Sequence, residues 1–196
     1  MVDTFNGEAF LSIVGFQMSH IRLLGLPAIP KLSSLNELNV RTYVRNSNGT
    51  PGVYFFSLDC DHWLAVKIAR VAFGLKYQHA HIKFDLEQNH FSCLRAKENI
   101  SANFQWDPQG SLQMATPGTV EFFLLERYIF FTERKNQLWM GRVHHTPYAF
   151  SSAKIKQWSE SPFQWNQIIS TQSAPNLVHA CPGVAIEAFP LRLAHA

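Results

Sequence analysis

The sequence predicts an α+β fold that is mostly β, in which a few helices flank a barrel-like antiparallel sheet. Many short segments alternate apolar and polar residues, as half-buried strands do, and only one segment has clear helical character. The chain also contains 16 Phe, 5 Trp and 5 Tyr, which favour strands because aromatic rings pack well on a pleated surface. With 46% hydrophobic and 16% charged residues, the chain can fill the core of one domain over residues 1–196.

A β-hairpin is predicted over residues 38–58. Its first strand, LNVRTYVR, alternates between two faces, and the turn-forming string NSNGTPG separates it from a second strand, VYFFSL. The alternation leaves two arrangements open for the face that carries Arg41, which lies either in water or along a polar pocket. An inward guanidinium would require a carboxylate partner or an anionic ligand, because burying an unpaired charge is very costly.

The clearest helix is predicted over residues 61–73, with the sequence DHWLAVKIARVAF. Asp59 or Asp61 can cap its N-terminus, and Gly74 can adopt the left-handed conformation that ends a helix. Most of its positions are apolar and its basic residues share one face. We therefore expect a helix that is mostly buried, with a narrow stripe in water.

The rest of the chain alternates strands with two loops and two short helices. The loops are residues 19–36, which are long enough for a lid or binding loop, and residues 107–119. Thr119 can cap the first short helix, over residues 120–125, and the second helix is predicted over residues 161–170. The remaining strands are predicted over residues 8–18, 77–86, 91–97, 103–106, 127–132, 137–143, 151–158 and 183–189.

Charge and cysteine content narrow the class of protein. The formal net charge is +3 and the basic residues are scattered, whereas nucleic-acid-binding proteins cluster them, so no nucleic-acid partner is expected. The three cysteines, Cys60, Cys93 and Cys181, are far apart and odd in number, which favours reduced thiols and a cytoplasmic location. No signal peptide is recognisable and no apolar stretch reaches the ~20 residues of a membrane-spanning helix, so no membrane association is expected.

Common catalytic and cofactor motifs are absent from the sequence. It contains neither the glycine-rich nucleotide-binding motifs nor HExxH, GxSxG or CxxC, and we predict no cofactor. His79 and His81 share a face of a predicted strand at a spacing that suits a metal pair. No carboxylate or cysteine completes the site locally, so no metal site is predicted.

Charged residues within apolar segments are further candidates for chemistry. In PGTVEFFLLERY, Glu121 falls in the first turn of a predicted helix, where the helix dipole accounts for it, and Glu126 needs a partner or solvent. Lys76 follows the long helix and is either solvated or, in an apolar cationic pocket, able to form an imine with a carbonyl compound. His144 and His145 are adjacent at a strand end, so one of them could point inward.

Five segments in the order LNVRTYVR, PGVYFFSLD, ARVAFGLKYQHA, PGTVEFFLLERYIFFT and VHHTPYAF resemble the YqjF-like family of bacterial proteins of unknown function. The resemblance runs from about Asp3 to Pro190. Members of that family carry further residues before the segment that matches Asp3, so we expect the chain to lack the family's N-terminal segment. Such a gap would expose apolar surface that a second copy could cover, which makes a homo-oligomer one expectation.

That family in turn resembles acetoacetate decarboxylase at the level of fold, which implies a cone-shaped antiparallel β-barrel with an internal pocket. In the decarboxylase, a Gly-Phe-Pro-Lys-Lys segment supplies a first lysine that forms an imine and a second that lowers the pKa of the first. The matching residues 74–78 place Tyr77 and Gln78 at the two lysine positions. Tyrosine cannot form an imine, and Lys76 points the other way if the segment is extended. Decarboxylation through an imine is therefore not expected, and whether the protein is an enzyme stays open.

The resemblance also implies that the Arg41 face of the hairpin lines the pocket. We predict that the pocket binds a small organic anion, a carboxylate, with acid–base chemistry on a keto acid or another carbonyl compound as its extension. The alternative is a non-catalytic ligand-binding or assembly protein. The predicted catalytic residues are Tyr77, Glu126 and Lys76, and the predicted ligand-binding residues are Asn39, Arg41, Tyr43, Glu121 and His144.

Overall fold

The structure, a computed structural model, describes residues 1–19, 34–169 and 174–194 and contains one twelve-stranded sheet and three helices within these ranges. Residues 20–33 of the predicted long loop, and residue 170 of the last predicted helix, lie outside the described residues. The strands are β1 (Leu11–Ser19), β2 (Ser34–Arg45), β3 (Pro51–Cys60), β4 (Tyr77–Asp85), β5 (His90–Arg95), β6 (Ala102–Met114), β7 (Ile129–Arg134), β8 (Gln137–His145), β9 (Ala149–Gln157), β10 (His179–Ala180), β11 (Ile186–Ala188) and β12 (Arg192–Leu193). The helices are α1 (Trp63–Phe73), α2 (Val120–Leu125) and α3 (Ser161–Trp165).

Strand β3 is the branch point of the sheet. β2 pairs antiparallel along the whole of one edge of β3, while β7 and β4 both pair in parallel with the other edge, at its first half and its last three residues respectively. One arm continues from β4 through β5, β6 and β9 to β10, and the other from β7 to β8, where β11 and β12 add; β1 lies outside β2.

The predicted class, α+β and mostly β, is confirmed, but the sheet is mixed rather than wholly antiparallel. The parallel pairing of β3 with β4 arises because α1 carries the chain from the end of β3 back to the start of β4, and parallel neighbours require a crossover of this kind. The parallel pairing of β3 with β7 follows a longer connection, through β4, β5, β6 and α2. Within the described residues, the hydrogen-bonded path also stays open rather than closing into a barrel.

Helix α1 starts and packs differently from the prediction. It begins at Trp63, and His62 is the N-cap, because His62 Nδ1 accepts a hydrogen bond from the Ala65 N–H at 3.4 Å. Gly74 ends the helix in the left-handed conformation, with φ of 62°, as predicted. The expectation of a mostly buried helix is wrong, since Val66 is its one fully buried residue. The helix packs one face on the sheet and leaves the other in water.

The second predicted loop is wrong in its first half, because β6 continues through it to Met114. The pairing of β6 with β9 shifts register between Gln105 and Trp106 and again between Gln109 and Gln113. Gly110 lies within the second shift, and Pro108 lies beyond Gln105, the last residue of β6 that pairs with β5, so β9 is its one described strand neighbour. The second half agrees with the prediction, since the Thr119 side chain caps α2.

Both faces of the central strands are covered. On one face, Arg95 holds Asp59 through two hydrogen bonds, Nε to Oδ1 at 2.7 Å and Nη2 to Oδ2 at 3.0 Å. The same guanidinium lies over the Trp165 ring at 5.0 Å, which ties α3 to the sheet. On the other face, β2 packs against α1 through Leu35 and against α2 through Tyr43. This second face carries the candidate site.

Candidate functional site

A buried glutamate on β2 is the centre of the site. Glu37 is 2% exposed; its Oε2 accepts a hydrogen bond from the Tyr77 hydroxyl at 2.7 Å and its Oε1 accepts one from Asn39 Nδ2 at 3.3 Å. Burial raises the pKa of the Glu37 carboxyl to about 7, the two hydrogen bonds oppose this rise, and the negative charge of Asp59 adds to it. In the part of the chain that the structure describes, no cation forms an ion pair with Glu37. Its carboxyl can therefore gain or lose a proton near neutral pH.

Tyr77, the first residue of β4, is the hydrogen-bond donor to this carboxyl. Burial and the charge of Glu37 raise the pKa of the Tyr77 hydroxyl well above its ordinary value, so the hydroxyl keeps its proton. Lys76 lies elsewhere: it is exposed in a cleft of about 240 Å³, and its Nζ donates to the Tyr54 hydroxyl at 2.8 Å. This separation follows from the alternation of side chains in extended backbone.

Two further polar side chains on the same face of β2 have unpaired atoms. Asn39 Oδ1 and Arg41 Nε are buried and have no hydrogen-bond partner among the described residues. Arg41 Nη2 donates to the Leu124 carbonyl at 3.1 Å, and no described carboxylate forms an ion pair with it. Buried polar atoms are nearly always paired, so an unpaired acceptor and an unpaired donor two residues apart indicate a place where a ligand or water completes the bonding. We call Glu37, Asn39, Arg41 and Tyr77 the β2 site.

Tyr43 continues this face but its polar atom is occupied. The residue is 1% exposed, and its hydroxyl shares a hydrogen bond of 2.8 Å with Ser12 Oγ. Its ring packs on Phe123 of α2 with the centroids 5.1 Å apart. Tyr43 therefore forms part of the wall between the β2 site and α2.

Glu126 belongs to a separate cluster of hydrogen bonds and ring contacts at the end of α2. Its carboxylate accepts hydrogen bonds from the Tyr128 hydroxyl and, at 3.1 Å, from the backbone N–H of Tyr148. The ring of His145, which is 4% exposed, contacts the rings of both tyrosines, with each pair of centroids 4.5 Å apart. Both oxygens of Glu126 are thus engaged, which suits a structural carboxylate better than a free base.

The other two predicted residues lie apart from the β2 site. Glu121 sits in the first turn of α2, 4.0 Å from His179 Nε2, and burial lowers the pKa of that histidine. His144 is exposed on β8, so the inward histidine of the adjacent pair is His145. Of the predicted residues, the structure brings Asn39, Arg41, Tyr43 and Tyr77 to one face and leaves Lys76, Glu121, Glu126 and His144 outside it.

Sequence reasoning missed Glu37, although a signal was present. The predicted strand began at residue 38, whereas β2 begins at Ser34 and so includes Glu37 in the same alternation as Asn39 and Arg41. In the string LNELNV, Glu37 lies two positions before Asn39, so extending the strand by a few residues would have placed it on the same face. Its contact with Tyr77 was not detectable, because it depends on the parallel pairing of β3 and β4.

The rings of His79 and His81 lie 5.7 Å apart, and the described ranges contain no group of three or more side chains that could hold a metal ion. None of the helices in these ranges combines the length and the hydropathy that a membrane span requires.

Comparisons with known proteins agree with the predicted family and fold. The sequence model of the DUF2071 family, described as an uncharacterized conserved protein, matches residues 1–185. The uncharacterized protein YqjF of Bacillus subtilis (strain 168) is 32% identical over 194 residues, which cover 97% of this chain and 79% of YqjF.

Two solved structures are similar in fold. Acetoacetate decarboxylase from Legionella pneumophila has a TM-score of 0.52 at 14% identity, over 83% of this chain and 68% of the decarboxylase. The enduracididine biosynthesis enzyme MppR has a TM-score of 0.52 at 11% identity, over 84% of this chain and 66% of MppR. The chain thus spans about two thirds of the length of these enzymes, and at such identities the likeness establishes the fold alone.

Proposed function

This chain belongs to the DUF2071 family of uncharacterized conserved proteins, and we propose that it binds a small keto acid in the β2 site and exchanges a proton at the carbon next to the carbonyl. The observation that carries the proposal is the coexistence, on one buried face, of a carboxyl with a pKa of about 7 and an arginine that has no carboxylate partner within residues 1–19, 34–169 and 174–194. In most buried sites a carboxyl and an arginine form an ion pair with each other or hydrogen-bond to neighbouring groups.

Arg41 supports the ligand class. A guanidinium donates several hydrogen bonds in a planar fork that matches a carboxylate, and Arg41 Nε has no partner in the part of the chain that the structure describes. The amide of Asn39, between Arg41 and Glu37 on the same face, offers an unpaired acceptor for a ligand hydroxyl or water. The ligand would therefore carry its negative charge at the Arg41 end and its reactive carbonyl at the Glu37 end.

Glu37 and Tyr77 support the proton transfer. With a pKa of about 7, the carboxyl is present in both forms at neutral pH, so it can take a proton and give it back. In the proposed step, the C–H bond beside the carbonyl breaks, its proton goes to Glu37, and its electron pair forms an enolate. The Tyr77 hydroxyl, which stays protonated, donates a hydrogen bond to the enolate oxygen. Return of the proton from Glu37 to carbon restores the keto acid.

The comparisons support the choice of probe at the level of fold only. A second solved structure of MppR is its complex with pyruvate, a 2-keto acid, and that complex has a TM-score of 0.50 to this chain. Pyruvate and 2-oxobutyrate, with methyl pyruvate as the uncharged analogue, are therefore suitable first ligands.

The test combines binding and exchange. Isothermal titration calorimetry should show that wild-type protein binds the acids more tightly than methyl pyruvate, and that Arg41→Met loses this preference. Arg142→Met, at an exposed arginine of β8, is the matched control and should bind as wild type. Proton NMR in D₂O should show loss of the signal next to the carbonyl with wild-type protein, and no loss with Glu37→Gln above the uncatalysed rate.

The two assays separate the proposal from its alternative. Binding of the acids without exchange would identify a non-catalytic ligand-binding protein. Absence of binding by every acid would overturn the proposal as a whole.

A further inference from the structure

We propose that the Tyr148 hydroxyl is a second contact for the carboxylate of the ligand, beside Arg41, and that Glu126 positions Tyr148 for this contact. The inference rests on the proposed function of the β2 site and adds a residue that determines its specificity. The end of α2 holds the Arg41 side chain and the Tyr148 backbone next to each other.

The end of α2 brings Arg41 and Tyr148 together. Arg41 Nη2 donates to the carbonyl of Leu124 at 3.1 Å, and the backbone N–H of Tyr148 donates to Glu126 Oε1 at 3.1 Å. Leu124 and Glu126 are two residues apart on the chain. The arginine from β2 and the tyrosine that precedes β9 therefore meet at one turn, although they are far apart in sequence.

The ring of Tyr148 is held in a fixed orientation. It contacts the buried ring of His145, which in turn stacks on Tyr128 with an interplanar angle of 22°. The Tyr128 hydroxyl donates a hydrogen bond to the second oxygen of Glu126, so one carboxylate binds both Tyr128 and the backbone of Tyr148. A side chain fixed in this way loses little conformational entropy when it binds a ligand.

The Tyr148 hydroxyl itself is available. Among the described residues it has no hydrogen-bond partner, and Tyr148 is only partly exposed. Burial raises the pKa of this hydroxyl and the Arg41 guanidinium opposes the rise, as a cation near the oxygen must. A carboxylate that accepts hydrogen bonds from Arg41 Nε and from the phenol would satisfy both groups and would exclude uncharged analogues.

The test compares Tyr148→Phe with wild type in calorimetric titrations of pyruvate and methyl pyruvate. The variant keeps the ring contact and the backbone hydrogen bond, so its thermal unfolding midpoint should be unchanged. We expect the dissociation constant for pyruvate to rise about 10-fold or more, as for loss of a hydrogen bond to a charged group, and the value for methyl pyruvate to stay the same. Tyr54→Phe, in the cleft beside Lys76, is the matched control.

A double-mutant cycle tests the role of Glu126. Glu126→Ala should weaken pyruvate binding in wild type but have no further effect in Tyr148→Phe, because its effect acts through Tyr148. Equal losses in both backgrounds would overturn the positioning role. If Glu126→Ala does not fold, Tyr148→Phe still decides whether the hydroxyl is a contact.

The outcomes distinguish this inference from the function on which it rests. If Arg41→Met loses pyruvate binding while Tyr148→Phe binds as wild type, the inference fails and the proposed function stands. If wild type binds none of the keto acids, both fail together.

Discussion

Replacement of Glu37 by glutamine should change the pH dependence of stability in a defined direction. The pKa of this carboxyl is about 7 in the folded protein, against an ordinary value of 4.5. Between these two values the folded state holds a proton that the unfolded state has lost. Raising the pH through this window therefore favours unfolding, and the destabilisation is complete above about pH 7.

The size of the effect follows from the same two values. The difference between 4.5 and about 7, at ~1.36 kcal/mol per pH unit, corresponds to about 3 kcal/mol of stability lost on ionisation. Glutamine has a similar shape and does not ionise, so Glu37→Gln should be free of this loss. Other groups titrate equally in both proteins, and their contributions cancel in the difference between variant and wild type.

The assay is urea unfolding of wild type and Glu37→Gln at several pH values from 5 to 8. The free energy of unfolding of the variant, minus that of wild type, should rise by about 2 kcal/mol or more across this range. Glu87→Gln, at an exposed carboxylate, is the matched control and should show no such trend. Parallel curves for Glu37→Gln and wild type would refute the reasoning, because they would mean that Glu37 ionises equally in both states.

Two further substitutions test the fold that supports the site. Arg95→Met leaves Asp59 as a buried charge without its partner and should lower the free energy of unfolding by ~3–5 kcal/mol. Lys156→Met, in an exposed ion pair, should change it by less than about 1 kcal/mol. Urea titration at pH 7 measures both, and equal effects would contradict the assignment of Arg95 and Asp59 as a buried pair. Gly74→Ala should lower the free energy of unfolding by about 2 kcal/mol, because the new Cβ would lie 2.6 Å from a carbon of the Arg134 side chain. Gly49→Ala should lower it by about 1 kcal/mol, because Gly49 also has a positive φ but has open space around it. A smaller loss of stability for Gly74→Ala than for Gly49→Ala would show that the close approach to Arg134 is unimportant.

The parts of the fold that depend on local sequence were predictable. The β2–β3 hairpin follows from an alternating pattern and a string of turn formers, and α2 follows from Thr119 before an apolar run. The extension of β6 to Met114 was not predictable in the same way. Its proline and glycine are typical of loops, and only pairing with β9, which is distant in sequence, keeps this segment in the sheet.

The site was predictable only where one strand determines it. The alternation of β2 places Asn39 and Arg41 on one face, and the family resemblance identifies that face as the one that lines the interior. In the structure, α1 and α2 cover this face. The partner of Tyr77 depends on parallel pairing across a crossover, and the position of Tyr148 depends on the end of α2. Contacts of this kind join residues far apart in sequence, and no local pattern encodes them.

The same geometry predicts that the wild-type protein forms no imine. The sequence resemblance matches Tyr77 with the reactive lysine of the decarboxylase, and a phenol cannot condense with a carbonyl to form an imine. Lys76 is the neighbouring amine, but its Nζ is bound to the Tyr54 hydroxyl in an exposed cleft away from Glu37. Borohydride reduction in the presence of pyruvate, followed by intact-mass spectrometry, should therefore give no adduct beyond that of Lys76→Met. An adduct that is lost in Lys76→Met would show that the lysine reaches the ligand, and imine chemistry would then replace the acid–base mechanism proposed for Glu37.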